Sequence, residues 1–253
     1  MLEHFYTVPG CPVRLALVSD LHERPSAPAL ESLRRNRPEL ICVAGDFFYG
    51  SAPKAGPKIR EARGVLPFFK SCAEIAPTFV SLGNHEWMFT AEDAAILAET
   101  GVTLLDNRFT ALRLGDRELC LGGLSSGYLG VRRRASGRGH RKDLGRSARH
   151  VPELAWLGGF CASPGYHILL SHHPEYYPRY LREMDIELIL SGHAHGGQIC
   201  LFGRGLYAPG QGVLPTLTEG ITDGRLVISR GLANTVPVPR LFNPTEIVYV
   251  SGE

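Results

Sequence analysis

The chain has no run of the 18 or so apolar residues that a membrane-spanning helix needs, no internal repeat, no CxxC pair and almost no excess of one charge. Lys and Arg number 27 against 25 Asp and Glu, leaving +2 with the histidines neutral. No whole-molecule field therefore recruits nucleic acid or membrane, and any anion binding has to be local. The first residues lack the basic region, apolar core and small-residue cleavage site of an export signal. A soluble, cytoplasmic protein is expected, with peripheral contact to a membrane left open. The six cysteines (Cys11, Cys42, Cys72, Cys120, Cys161 and Cys200) are widely spaced, and several sit in apolar runs such as ELICVAGD and RELCLGG. They read as small buried hydrophobes in a reducing compartment rather than as disulfides or metal ligands.

With 253 residues and 44% apolar content, the chain can bury a substantial core. No linker divides it, so one α/β domain over 1–253 is expected, with a basic insertion at about 131–150. Apolar runs at 13–19, 39–45 and 77–83 alternate with helical spacing around Ala29 to Asn36 and near 65–75, which reads as β-α-β-α-β with parallel strands. VTLLD (102–106), FTALRL (109–114) and RELCLGGL (117–124) suggest that a second sheet begins there, with a hairpin at Gly115-Asp116. Beyond the insertion, a helix-like PELAWLGGF (152–160) leads to strands at 166–172 and 186–192, a hairpin around Asp223 and a last strand at 245–251.

Polar residues gather where these strands end: Ser19-Asp20-Leu21-His22, Gly45-Asp46, Gly83-Asn84-His85-Glu86, Ser171-His172-His173-Pro174 and Ser191-Gly192-His193-Ala194-His195-Gly196-Gly197. In open α/β sheets ligands bind outside the carboxyl ends of the strands, so the five loops should converge. Any one of them could be turn chemistry or a helix cap, but five together point to a site. Asp, Asn and His offer oxygen and imidazole nitrogen without thiolate, a set suited to Mn, Fe or Zn in a working site. The donors exceed the needs of one ion. Two ions about 3.5–4 Å apart need a bridging carboxylate, and Asp46 at the end of a central strand is the candidate.

The ordered motifs resemble those of the calcineurin-like metallophosphoesterases: D-x-H, G-D, G-N-H-[DE], a later H, and G-H-x-H. The last continues here as Gly192-His193-Ala194-His195-Gly196-Gly197-Gln198, similar to a bacterial phosphodiesterase-like branch. The resemblance implies a four-layer α/β/β/α sandwich of two mixed sheets with two divalent metal ions at one edge. It implies that Asp20, His22 and His195 hold the first ion, that Asp46 bridges, and that Asn84, His172 and His193 hold the second. His173 is the runner-up in its motif. His85 is left as the catalytic residue, the general acid for the departing oxygen while a hydroxide between the metals attacks phosphorus.

One departure stands out. The family's second motif usually reads G-D-x-x-D, its last aspartate bonding the catalytic histidine, and Gly45-Asp46-Phe47-Phe48-Tyr49 puts tyrosine there. Tyr49 can supply one hydrogen bond but no carboxylate charge, so slower turnover or a shifted pH dependence is expected.

The 131–150 stretch holds seven Arg and one Lys against Asp143. It reads either as a solvated loop or as a flap attracting a phosphorylated substrate, nucleic acid or anionic lipid. Without interleaved aromatics, nucleic acid is not favoured. Lys54, Lys58, Arg60 and Arg63 form a weaker cluster, and the Gly- and Pro-rich 202–215 reads as a loop near the final motif. The expected activity is hydrolysis of phosphodiesters or phosphomonoesters of a small or lipid-linked substrate. The alternatives are a pyrophosphatase acting on a nucleotide-linked lipid or sugar, which would need an apolar pocket, and a non-catalytic, metal-stabilised binding module.

Overall fold

A computed structural model describes residues 1–24, 26–127, 151–234 and 238–252; the basic stretch at 131–150 lies outside the described residues. Two six-stranded sheets carry the fold. In the first, β1 (Leu2–Thr7), β16 (Glu246–Ser251), β2 (Leu15–Val18), β3 (Leu40–Ala44), β4 (Thr78–Ser81) and β5 (Thr103–Leu104) lie side by side in that order. Only the β16–β2 pairing is antiparallel. The second runs β14 (Gly220–Thr222), β15 (Leu226–Ile228), β9 (Leu188–Ser191), β8 (Tyr166–Ser171), β7 (Arg117–Leu124) and β6 (Arg108–Leu114). Its four central strands are parallel and its outer pairs antiparallel. Both sheets are mixed, as expected.

Alternation along the central strands explains the layering. Leu15, Leu17, Leu40, Cys42 and Phe79 meet Leu119, Leu121, Ile168, Leu170 and Leu190 in a core shared by the two sheets. The intervening Ala16, Val18, Ile41, Val43 and Val80 face a second core built with helices Ala27–Asn36, Val65–Ile75 and Ala91–Ala98. Leu169, Ile189 and Ile228 cover the far face of the second sheet with Leu157, Phe160, Tyr177 and Leu181. The result is the four-layer α/β/β/α sandwich. All six cysteines are free thiols and all but Cys161 are buried; burial pushes the Cys72 thiol up to about 12.

Three elements differ from the sequence reading. Residues 102–106 do not open the second sheet: Thr103–Leu104 pair in parallel with β4 and finish the first, the chain crossing to the second sheet at β6. Leu2–Thr7, not read as a strand, pairs in parallel with β16, where His4 Nδ1 lies 2.5 Å from the buried Glu246 carboxylate, which also accepts the Arg230 N–H at 2.8 Å. Residues 200–213 hold two small ladders, β10 (Cys200–Leu201) with β11 (Arg204–Gly205) and β12 (Tyr207–Ala208) with β13 (Gly212–Val213).

Candidate metal centre

Because β2, β3 and β4 are parallel neighbours in one sheet and β8 and β9 in the other, their carboxyl ends stand together at one edge of the sandwich. Asp20, His22, Asp46, His193 and His195 leave those ends with φ of 54°, 48°, 54°, 67° and 48°. This left-handed conformation is uncommon outside glycine and clusters at functional sites. The turns also need bare backbone: a Cβ on Gly83 would lie 2.2 Å from Asp46 Oδ1, and one on Gly192 2.6 Å from Asp20 Oδ2.

The side chains converge in two groups. Asp20, His22 and His195 offer donor atoms within 4.8 Å of one another, and so do Asp46, His172 and His193. Asp20 Oδ1 lies 3.6 Å from His22 Nε2 and 3.5 Å from His195 Nε2, and Asp46 Oδ2 lies 3.1 Å from His172 Nε2. Nδ1 of His22 donates to the Phe48 carbonyl at 2.9 Å and Nδ1 of His172 to the Ala44 carbonyl at 2.6 Å, which orients both rings with Nε2 toward the carboxylates, the atom that a cation would take in place of a proton. Asp20 Oδ1, His22 Nε2, Asp46 Oδ2, Asn84 Oδ1 and His172 Nε2 are buried and form no hydrogen bond. Such atoms are costly to bury, and oxygen and imidazole donors aimed inward fit divalent cations.

The electrostatics point the same way. Burial favours neutral carboxyls, yet His195 and His22 hold Asp20, and His172 and His85 hold Asp46, well below the usual carboxylate range. Burial opposes a charged His172, but the Asp46 carboxylate beside it raises that imidazole to about 10. Burial takes His195 down to about 4. Two dry carboxylates thus demand positive charge from whatever stands near them.

His85 adjoins both groups, its donor atom within 4.8 Å of those of His22 and Asp46, and it is held differently. Its main-chain N–H donates to Asp46 Oδ1 at 2.8 Å, its Nδ1 to the Tyr49 carbonyl at 2.9 Å, and its Nε2 stands 3.8 Å from Asp46 Oδ2. The ring is therefore oriented by the backbone of Tyr49, a contact that any residue type supplies, and Tyr49 itself is 47% exposed. His172 turns to Asp46, whereas His173 bonds Ser126 Oγ at 2.7 Å and faces Glu175 at 3.3 Å.

Sequence reasoning gave no role to several residues found here. Glu86 is fully buried and accepts the N–H groups of Gly83, Asp46 and Phe48 at 2.7, 2.8 and 2.9 Å, tying two site loops together. Burial, and then the Asp46 charge, push its carboxyl up to about 7 against the Phe48 and Asp46 N–H groups and the nearby His172. Glu175 joins His173 and His193 in a further buried group, and its Oε2 forms no hydrogen bond. Arg240 brings Nη2 to 2.8 Å from His195 Nδ1. An arginine only donates, so a cation on His195 Nε2 requires Nδ1–H and hence that Arg240 release this contact. Glu86 was visible in its motif, whereas Glu175 and Arg240 carry no local signal. A cavity of about 520 Å³ opens on the site, its lining including Asp46, Asn84, His85, His193 and His195 together with Ile199, Leu206, Tyr207, Pro209 and Val238. Part of the segment read as an ordinary loop is thus cavity wall.

The sequence profile of the calcineurin-like phosphoesterases matches residues 13–197, and the chain belongs to that family. It is 26% identical over 251 residues to a metallophosphoesterase of Caenorhabditis elegans, covering 94% of this chain and 48% of that protein. With the phosphodiesterase YaeI of Escherichia coli it shares 24% identity over 205 residues, 77% of this chain and 65% of the relative. The chain thus spans about half the length of the worm protein. A solved sulfate thiohydrolase, SoxB of Thermus thermophilus, is 14% identical with a TM-score of 0.48, covering 88% of this chain and 52% of that one. Among the described residues no helix is long and apolar enough to cross a membrane.

Proposed function

We propose that the chain is a two-cation phosphoester hydrolase in which Asp20, His22 and His195 hold one ion, Asn84, His172 and His193 hold the other, and Asp46 serves both. The observation that carries this reading is the set of five buried donor atoms without hydrogen bonds, drawn from four separate strand ends. Bound there, two divalent ions (Mn, Fe or Zn) supply Lewis acidity that lowers the pKa of water and offsets charge on a phosphoryl group. The chain's own contribution is arrangement. Carbonyls hold the Nδ1–H of His22 and His172, so Nε2 is the atom on each ring that would give up its proton and turn a lone pair to a cation. The Tyr49 carbonyl fixes His85 with a proton on Nδ1, leaving Nε2 to carry the proton that a departing ester oxygen takes up. The apolar cavity wall favours a phosphodiester or phosphomonoester bearing an organic group over free inorganic phosphate. It also suits a pyrophosphate-linked lipid, the alternative that needed such a pocket. The core shared by both sheets supports a single domain, and the six free thiols support a reducing, cytoplasmic setting.

The test is metal analysis of protein purified without chelator, together with hydrolysis of bis-p-nitrophenyl phosphate and p-nitrophenyl phosphate under added Mn²⁺. About two metals per chain are expected, with turnover lost in Asp46→Asn and reduced about 10²-fold or more in His85→Ala. Bound metal without turnover of either compound would favour a metal-stabilised binding module or an enzyme strict for its natural substrate, and absence of metal would overturn the site.

A further inference from the structure

Beside the cavity, three short segments are tied into one unit. The Leu206 N–H donates to Ile199 at 2.9 Å, the Cys200 N–H to Leu241 at 3.0 Å, and the Leu214 N–H to Leu206 at 2.9 Å. This unit displays apolar side chains to solvent: Phe202 is fully exposed, Phe242 80%, Val213 78% and Leu214 66%. Tyr207 and Val238 are exposed as well and also line the cavity, so the apolar face continues into its wall.

The backbone beneath this face is unusual. Phe202, Leu214 and Phe242 have φ of 52°, 53° and 54°, a region where bulky side chains are outliers. Phe202 and Gly203 form the two-residue turn between β10 and β11, and both have positive φ. Such turns favour Asn-Gly, yet here the asparagine position is held by a phenylalanine that touches no core. Strain held at exposed apolar residues points to a use for their exposure.

The charge pattern selects the occupant. Residues 197–218 and 238–245 contain no Asp or Glu, and their charges are Arg204 and Arg240. A second copy of the same face would offer no acidic complement to Arg204. A surface with phosphate headgroups over an apolar interior offers both complements at once.

We propose that this acid-free apolar face docks on a lipid bilayer, with Phe202, Leu214 and Phe242 entering the interfacial layer and the cavity opening toward the headgroups. The substrate class then follows as a phosphoester with an acyl or isoprenoid group. The docking stands on the face itself, whereas the substrate rests on the hydrolase reading above.

The experiment floats the Mn²⁺-loaded full chain with vesicles of phosphatidylcholine and phosphatidylglycerol, beside the double variant Phe202→Asn/Phe242→Asn. The wild type is expected to float and the variant to stay behind, its turnover of soluble bis-p-nitrophenyl phosphate within about twofold of wild type. Its melting temperature should be equal or higher, because asparagine accepts the left-handed backbone. A wild type that floats yet hydrolyses nothing would sink the hydrolase reading and keep the docking. A wild type that does not float, a variant that floats equally well, or a wild-type dimer that the variant turns to monomer would each overturn it.

Discussion

His85 stands against bare backbone. Gly50 has a φ of +81°, and a Cβ there would lie 2.6 Å from His85 Nδ1, the nitrogen held by the Tyr49 carbonyl. Alanine at this position is strained in its own backbone and pushes the imidazole off its acceptor. Gly50→Ala should therefore lower turnover by about tenfold or more, approaching His85→Ala, while two metals still bind, as parallel metal analysis and kinetics would show. At Tyr49 the observed contact to His85 runs through the main chain, which a sequence does not display, while the carboxylate charge missing from that position leaves the expected slower turnover or shifted pH dependence to a Tyr49→Asp pH–rate comparison. Five of the seven proposed ligands share the left-handed backbone seen at Asp20 and His195, so the ligand loops are set by backbone geometry as much as by side-chain identity.

Among the elements, the short turn Asn84–Met88 following β4 is held by Glu86, whose two oxygens take three main-chain N–H groups from two loops. Removing the carboxylate leaves three buried donors unmet, at about 1–3 kcal/mol for each before relaxation. Glu86→Ala is expected to cost about 3 kcal/mol or more in urea unfolding of the metal-free protein, so the loss would be visible without any cation. Strands buried on both faces were legible, because ELICVAG and IELILSG are apolar runs ended by turn residues. Leu2–Thr7 was not: it is an edge strand of mixed exposure, His4 and Tyr6 among its residues, and its pattern matches neither face of a buried sheet. Thr103–Leu104 was assigned to the wrong sheet because two residues do not say which edge they join. The convergent Asp, Asn and His were legible because each sits beside its own strand end. Glu175, Arg240 and the apolar wall of the cavity come from distant segments, and only the folded chain brings them to the site.

At the scale of the whole molecule, the parallel strands behind the ligands come from neighbouring stretches of chain, whereas the first sheet ends on a pairing of a different kind. His4 meets Glu246 across 242 residues, and the Leu2 and Val8 N–H groups bond the Thr245 and Ser251 carbonyls. Contacts so far apart in sequence add little equilibrium cost per extra residue but slow the search that forms them. In pulsed hydrogen exchange during refolding, the amides of Leu2–Thr7 should gain protection after those of Leu40–Ala44 and Thr78–Ser81; simultaneous protection would argue against this order. If that order holds, time separates two properties that look inseparable in the finished sandwich: the proposed ligand loops would be assembled while one border of the sheet is still open, waiting for its outermost strand.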